Sequence, residues 1–181
     1  SFNFLPPAVE QDREPYRLES RMLSEKTSQG LNQLAREQGI TLNTIMQGIW
    51  ALLLSRCTRE DDIVFGATVS GRPPSLPGSE SIVGLMINTL PVRIQVNPQE
   101  PAVEWLRKLQ IHQVELREFE YVSLIDIQGW SQIPRGISLF DSIYVFENYP
   151  ANPLKGGKVG ALEVETGPGY TRTNYPLTFA V

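Results

Sequence analysis

Apolar positions along this chain recur with two different periods, and the switches between them mark its elements. Tyr16, Leu18, Ser20 and Met22 alternate with Arg17, Glu19 and Arg21, a period of two that predicts a strand with one polar face. From Ser24 the spacing changes. Leu31, Leu34 and Ala35 form the inner stripe of a helix that Ser24 caps and Gly39 ends. Thr41 caps a second helix, Leu42 to Arg56. Its apolar residues, among them Ile45, Met46, Trp50 and Leu54, leave little polar surface, so it is expected to be buried on most sides.

Ile63 to Val69 is a near-continuous apolar strand of the kind covered on both faces. Ser70 to Gly78 holds three prolines and two glycines and is irregular. A short helix from about Glu80 to Met86 leads into a strand, Asn88 to Val96, in which Pro91 points to an edge position or a bulge. Pro101 suits the first turn of a helix reaching about Glu118, with Val103, Leu106, Leu109, Gln113 and Leu116 inward. A short helix near Ser123 to Gln128 precedes an apolar strand, Leu139 to Phe146. A loop at 152–157, a strand near Ala161 to Glu165 and a last strand from Tyr175 complete the pattern. Strands interspersed with helices predict an α/β fold, a two-layer sandwich with a mixed sheet. Residues 1–15, with Pro6, Pro7 and Pro15, read as an arm or linker before a domain spanning 16–181.

Composition narrows the functions. With 181 residues, 41% hydrophobic and 20% charged, the chain is of globular type. A net charge of -4 supplies no field for phosphate backbones or anionic membranes, so neither nucleic acid nor membrane is an expected partner. The longest apolar run, Ile49 to Leu54, is far short of the ~20 residues that span a bilayer. One cysteine, Cys57, excludes an internal disulfide and fits a reduced, cytoplasmic setting. The chain starts without methionine and stops at Thr178 to Val181, in mid-strand by pattern, as expected of a fragment.

Self-sufficient catalysis finds no support. His112 is the single histidine, on a polar stretch of a helix; no metal-ligand cluster occurs, and no serine sits in a nucleophile elbow. Polar residues inside apolar segments stand out instead, since buried polar groups need partners. Asn88 and Thr89 interrupt Ile82–Arg93, Asp141 and Ser142 sit within an otherwise apolar strand, and Asn174 lies beside a strand start.

Those segments resemble a known family in its own order. Val83-Gly84-Leu85-Met86-Ile87-Asn88-Thr89-Leu90-Pro91-Val92-Arg93 resembles the fifth core motif of the condensation domains of non-ribosomal peptide synthetases. Asp61 to Pro73, then Phe140 to Pro150, then Asn174-Tyr175-Pro176-Leu177 resemble the blocks around it. The resemblance implies the C-terminal one of two chloramphenicol-acetyltransferase-like lobes, truncated at its C-terminal end. Such domains join a carrier-bound acyl or peptidyl thioester to the amine of a carrier-bound aminoacyl thioester, in a tunnel between the lobes.

The family's His-His-x-x-x-Asp-Gly motif belongs to the N-terminal lobe and does not occur here. The chain alone is therefore expected to be inactive, with no catalytic residue and no metal. The sixth motif's histidine is also replaced, by the run Arg117 to Tyr121. The resemblance implies Asn88, Thr89, Ser142 and Asn174 as tunnel residues. Ser70, Gly71, Arg72 and Pro73, with the loop 150–173, would cross to the partner lobe. No cofactor is expected to bind directly, the substrates riding on phosphopantetheine. Implied partners are the N-terminal lobe, the upstream and downstream peptidyl carrier domains and an adjacent adenylation domain. A non-catalytic module of this fold, or a lobe of an epimerisation domain or other two-lobed acyltransferase, are the alternatives. The Asn-Thr-Leu-Pro-Val-Arg block favours a condensing member.

Overall fold

The structure, a computed structural model, describes residues 17–72, 76–134, 136–147, 158–159, 162–163 and 173–181. Two capped helices begin it. Ser24 Oγ accepts a hydrogen bond from Thr27 N at 3.1 Å and opens α1, Glu25–Gln38; Gly39 closes it at φ 64°. Thr41 Oγ1 does the same for Thr44 N, at 3.1 Å, and opens α2, Leu42–Thr58. That helix ends on Arg59, at φ 63°, a left-handed position that costs a residue with a Cβ roughly 1–2 kcal/mol.

Four strands build the main sheet: β1 (Asp62–Val69), β2 (Asn88–Gln95), β3 (Ser142–Val145) and β6 (Leu177–Ala180), in the order β2-β1-β3-β6. β1 and β2 are antiparallel from Asp62↔Gln95 to Val69↔Asn88. β3 runs parallel to β1 through Gly66↔Ile143, and β6 parallel to β3 through Ser142↔Leu177. Three strands thus share a direction, and their C-terminal ends meet along one edge of the sheet. β4 (Lys158–Val159) and β5 (Leu162–Glu163) form a separate antiparallel pair. The mixed α/β sheet agrees with the sequence reading, as does the edge position of β2 around Pro91.

Helices α2 and α3 (Ala102–Arg117) cover one face of the sheet, against Phe65, Ala67, Val92, Ile94 and Tyr144. The two helices meet at Gly48. A Cβ there would lie 2.6 Å from Leu106 Cδ2 and 3.0 Å from the Trp105 ring. Trp105 reaches past α2 to the sheet, where its Nε1 donates to Gln95 O at 2.8 Å. At the far side Trp50 stacks on Phe179 of β6, centroids 4.7 Å apart. On the opposite face, Phe140 lies over Gly66, where a Cβ would meet its ring at 2.4 Å. Tyr175 stacks on Phe140 in turn.

Several expectations change. Residues 17–24 are irregular and exposed, because the period-two segment finds no partner strand among the described residues. The helix expected over 80–86 shrinks to one 3₁₀ turn, Ser79–Ser81. The Arg72 guanidinium donates to the carbonyls of Ser79 and Ile82, the latter at 3.0 Å, and to Gly84 O at 3.4 Å. Those acceptors are then occupied from the side. In α3 the buried residues are Trp105, Leu106 and Leu109, so the inward stripe includes Trp105. Helix α2 is buried on most sides as expected, and Ile49, Leu52 and Leu53 mark its exposed side. β3 and β6 start at Ser142 and Leu177, later than the apolar runs suggest. The short helix expected near 123–128 is α4, Leu124–Trp130, packed beside β2. The arm 1–15 and the loop 152–157 lie outside the described residues.

Gly48→Ala is expected to destabilise the fold by about 1–3 kcal/mol, since an added methyl forces the Leu106 and Trp105 side chains off their positions. Urea unfolding of the two proteins measures the difference; equal midpoints would contradict the close helix contact.

Candidate functional site

The edge where parallel strands end is where open α/β sheets hold their ligands, because loops diverge there and leave a crevice. Here that edge carries two adjoining clefts. The inner one, about 400 Å³, lies between the start of α2 and the end of α3, lined by Asn43, Gln47, Thr68, Ser70, Gln113 and Leu116. The outer one, about 470 Å³, shares Thr68, Ser70, Arg72 and Phe146 and is closed on its far side by Gly84 to Ile87.

The inner wall is a network of neutral side chains. Thr44, fully buried, donates through Oγ1 to Gln110 Oε1 at 2.6 Å, with Gln113 Oε1 at 3.0 Å as second acceptor. Gln113 Nε2 donates to Gln47 Oε1 at 3.0 Å. Tyr144 OH donates to Asn43 Oδ1 at 2.9 Å, and burial pushes its phenol far above the ordinary value. Among the described residues this network ties α2, α3 and β3 together at the cleft.

Asn88 and Thr89 stand at the same sheet edge, opposite Val69 and Thr68. The Asn88 amide is fully engaged with backbone. Its Nδ2 donates to Glu120 O at 2.9 Å and Val122 O at 2.7 Å, and its Oδ1 accepts from Thr89 N at 2.8 Å. It therefore clamps the α3–α4 connection to the first residue of β2. Ser70, Gly71 and Arg72 leave the end of β1 together. Gly71, at φ 63°, passes so close to Met86 O that a Cβ would overlap it at 1.8 Å. Arg72 then holds the 79–84 segment by its carbonyls. Pro73 lies outside the described residues.

The remaining expected residues are elsewhere. Ser142 is buried in mid-sheet, one residue before the Ile143 that pairs with Gly66. Asn174 is exposed and precedes β6, at the edge where the parallel strands begin. The structure thus brings Asn88 and Thr89 to the edge with Ser70 and Arg72, and separates Asn174 from them by the length of the sheet. His112 lines a different groove, between β2 and α3, with Arg93, Lys108 and Glu100. Cys57 is exposed. No group of three metal-ligating side chains occurs among the described residues. None of their helices is long and apolar enough to cross a membrane.

Sequence reasoning missed Asn43, Gln47, Gln113 and Thr68. Asn43 and Gln47 fall one helical turn apart in an otherwise apolar helix, and that spacing was the available signal. Arg93, the closing arginine of the Asn88–Arg93 block, forms a forked ion pair with Asp62 across β1 and β2. Its Nε lies 2.8 Å from Oδ1 and its Nη2 2.5 Å from Oδ2. This hydrogen-bonded guanidinium holds the Asp62 carboxyl below its ordinary value.

A family model described as "Condensation domain" matches residues 5–179. One of the linear gramicidin synthase proteins of Brevibacillus parabrevis is 53% identical over 167 residues, covering 92% of this chain. Chondramide synthase cmdD of Chondromyces crocatus is 46% identical over 159 residues, covering 88%. The chain spans only 3% and 4% of those two relatives. The solved structure of holo T3CT aligns with a TM-score of 0.58 at 28% identity, over 63% of this chain and 27% of that one. The first condensation domain of the calcium-dependent antibiotic synthetase, at 20% identity and a TM-score of 0.56, shares the fold over 66% of this chain and 26% of its own.

Two substitutions test this geometry. Asn88→Ala leaves two carbonyls and one amide without their partner and is expected to cost about 1–3 kcal/mol in urea unfolding. Arg93→Met acts through pH. A carboxyl lowered in the folded state stabilises above its unfolded value of 3.8 and loses that contribution as pH falls through the lower folded value. The wild-type advantage in melting temperature should therefore be present at neutral pH and vanish in strong acid. A pH-independent difference would remove the ion pair as its source.

Proposed function

The chain belongs to the condensation-domain family, and from that premise we propose that it is the C-terminal lobe of a peptide-bond-forming domain of a non-ribosomal peptide synthetase. Its fold is the α/β arrangement of the chloramphenicol-acetyltransferase-like lobes. In this reading residues 16–181 form one wall of a tunnel, and residues 1–15 are an arm that leads into it. A carrier-bound acyl or peptidyl thioester meets a carrier-bound aminoacyl amine there. Both arrive on phosphopantetheine arms, with an adenylation domain adjacent and a cytoplasmic setting.

The observation that carries the proposal is the strand-end edge itself. It places two clefts, the Ser70–Arg72 loop and the Asn88–Thr89 pair side by side, while the single histidine lines another groove. Forming an amide needs the amine nitrogen to attack the thioester carbonyl and the thiolate to leave. Holding the two groups in register contributes about 7–11 kcal/mol where the geometry is good. A lobe of this kind supplies that positioning. The histidines of the His-His-x-x-x-Asp-Gly motif come from the partner lobe.

Thr89, Ser142 and Asn174 are proposed tunnel residues, Asn174 at the opposite strand edge from Thr89, and Ser70 belongs to the loop that crosses to the partner lobe. Asn88 is proposed to set the position of Thr89 through its backbone clamp. Arg72 and Gly71 fix the loop that faces the partner lobe. An apolar surface supports that facing. Val83, at 99% exposure, and Leu85, at 89%, precede Asn88, and exposed Tyr121 and Ile125 lie on or beside the segment it clamps. Exposed apolar side chains on both segments flanking Asn88 are what a covering lobe would bury.

Incubated with donor and acceptor aminoacyl carrier proteins, the chain alone should give no dipeptide by mass spectrometry. Joined to an N-terminal lobe with the His-His-x-x-x-Asp-Gly motif, it should do so, and His112→Ala should leave that yield unchanged. Replacing Val83 and Leu85 by serine should weaken binding to a separately expressed N-terminal lobe at least tenfold. Turnover by the isolated chain that His112→Ala abolishes would overturn the proposal.

A further inference from the structure

The inner cleft has a chemical character that the condensation reading does not itself require. Its hydrogen-bonding wall is made of neutral amides and hydroxyls, and Arg72, which also lines it, turns its guanidinium to the carbonyls of Ser79, Ile82 and Gly84. Gln47 is 5% exposed and lines the cleft. Its Oε1 is taken by Gln113 Nε2 at 3.0 Å. Its Nε2 has only a long contact, 3.4 Å, to Asn43 Oδ1, an atom that already accepts Tyr144 OH at 2.9 Å. A buried primary amide is thus left with donor capacity, and a buried donor gains by finding a better acceptor. Thr68 and Ser70 line the cleft from the end of β1. Ala67, Val92 and Phe146 supply an apolar floor.

Beyond Arg72, charge enters at the mouth, where Arg117 at the end of α3 and Glu120 just past it are of opposite sign. An ion pushed past them would lose its hydration and meet only a guanidinium whose donors backbone carbonyls already occupy. A short aliphatic stem ending in an amide or hydroxyl meets the floor with its carbons and Gln47 with its acceptor. The volume, about 400 Å³, is at the small end of the ~300–1,000 Å³ typical of ligand pockets.

We propose that this cleft is a side-chain pocket that selects one of the two joined units for a neutral amide- or hydroxyl-bearing group, with Gln47 and Gln113 as its specificity-determining residues. The assignment rests on the condensation reading for its substrate class and on the cleft alone for its chemistry. A pocket built to hydrogen-bond a substrate group discriminates well against an analogue without it, because its own polar groups are then left unpaired.

The test has two arms. In the ¹⁵N-labelled chain, the side-chain amide signals of Gln47 and Gln113 are followed while N-acetyl methylamides of asparagine, leucine, aspartate and lysine are titrated. The asparagine probe should shift both signals saturably and the lysine and aspartate probes should not. Thr68→Val, outside the α2–α3 network, should weaken the asparagine response about tenfold. In the two-lobe domain, Gln113→Met should lower kcat/KM for asparaginyl relative to leucyl units about tenfold, with the melting temperature recorded on the same preparation. If Gln113→Met does not fold, Thr68→Val serves in both arms. Equal responses to the asparagine and lysine probes, or no response to either, overturn the pocket. A two-lobe domain that joins no units while the asparagine probe still shifts both signals would refute the condensation reading and leave the pocket standing.

Discussion

How closely α2 can approach α3 decides the rest of this architecture. A residue without a side chain, Gly48, lets Leu106 and Trp105 sit directly against the α2 backbone. That spacing puts Thr44 and Gln47 within hydrogen-bond reach of Gln110 and Gln113, which lie far along the sequence on the next long helix. The same pair of helices then covers Phe65, Ala67 and Tyr144 on the sheet and closes one side of the strand-end cleft. A wider crossing would open the core and pull the amide network apart together, so packing and site geometry answer to one contact.

The sheet adds a second constraint. β1 is hydrogen-bonded on both sides, antiparallel to β2 and parallel to β3, and is the strand through which the sheet is organised. That arrangement brings the end of β1 and the start of β2 to one edge. It explains why Ser70 and Asn88, separated by a long loop, stand together. The loop itself is held by unlike means at its two ends: Gly71 passes against Met86 O where no Cβ fits, and the Arg72 fork gathers three carbonyls. Asn88 plays the corresponding part for the α3–α4 connection. Backbone that has no regular partner is thus held by side chains at the edge proposed to face a second lobe.

Much of this was legible in the sequence because the relevant physics is local. Ser24, Gly39 and Thr41 mark helix ends through hydrogen bonds to neighbouring backbone, and the structure places all three as caps. β1 and β2 declare themselves by apolar content, and Pro91 by its missing donor. Readings failed where distant residues decide. Residues 16–22 alternate as a strand does, yet a strand needs a neighbour, and among the described residues exposed Met22 has none. The 80–86 segment loses its helix to Arg72, whose grip no local pattern reveals. In the candidate site, Asn88 was visible as a polar interruption of an apolar run. Gln113 falls in the inward stripe of its helix, but no local pattern names its partner, Gln47. Asn43 and Gln47 look like solvent-facing residues until α3 is laid across them.

The parallel pairing of β1 with β3 carries a consequence for synthesis on the ribosome. Gly66 finds its β2 neighbour, Pro91, soon after emerging, but Ile143 follows several seconds later at about 5–20 residues per second. Throughout that interval one side of the most apolar strand of the chain has its peptide groups unpaired, and non-local pairings of this kind also close slowly once they are possible. The nascent chain therefore passes through a vulnerable period in which its central strand can pair with the wrong partner, another copy included. Control of translation pace or chaperone attendance would matter most between the emergence of β2 and that of β3.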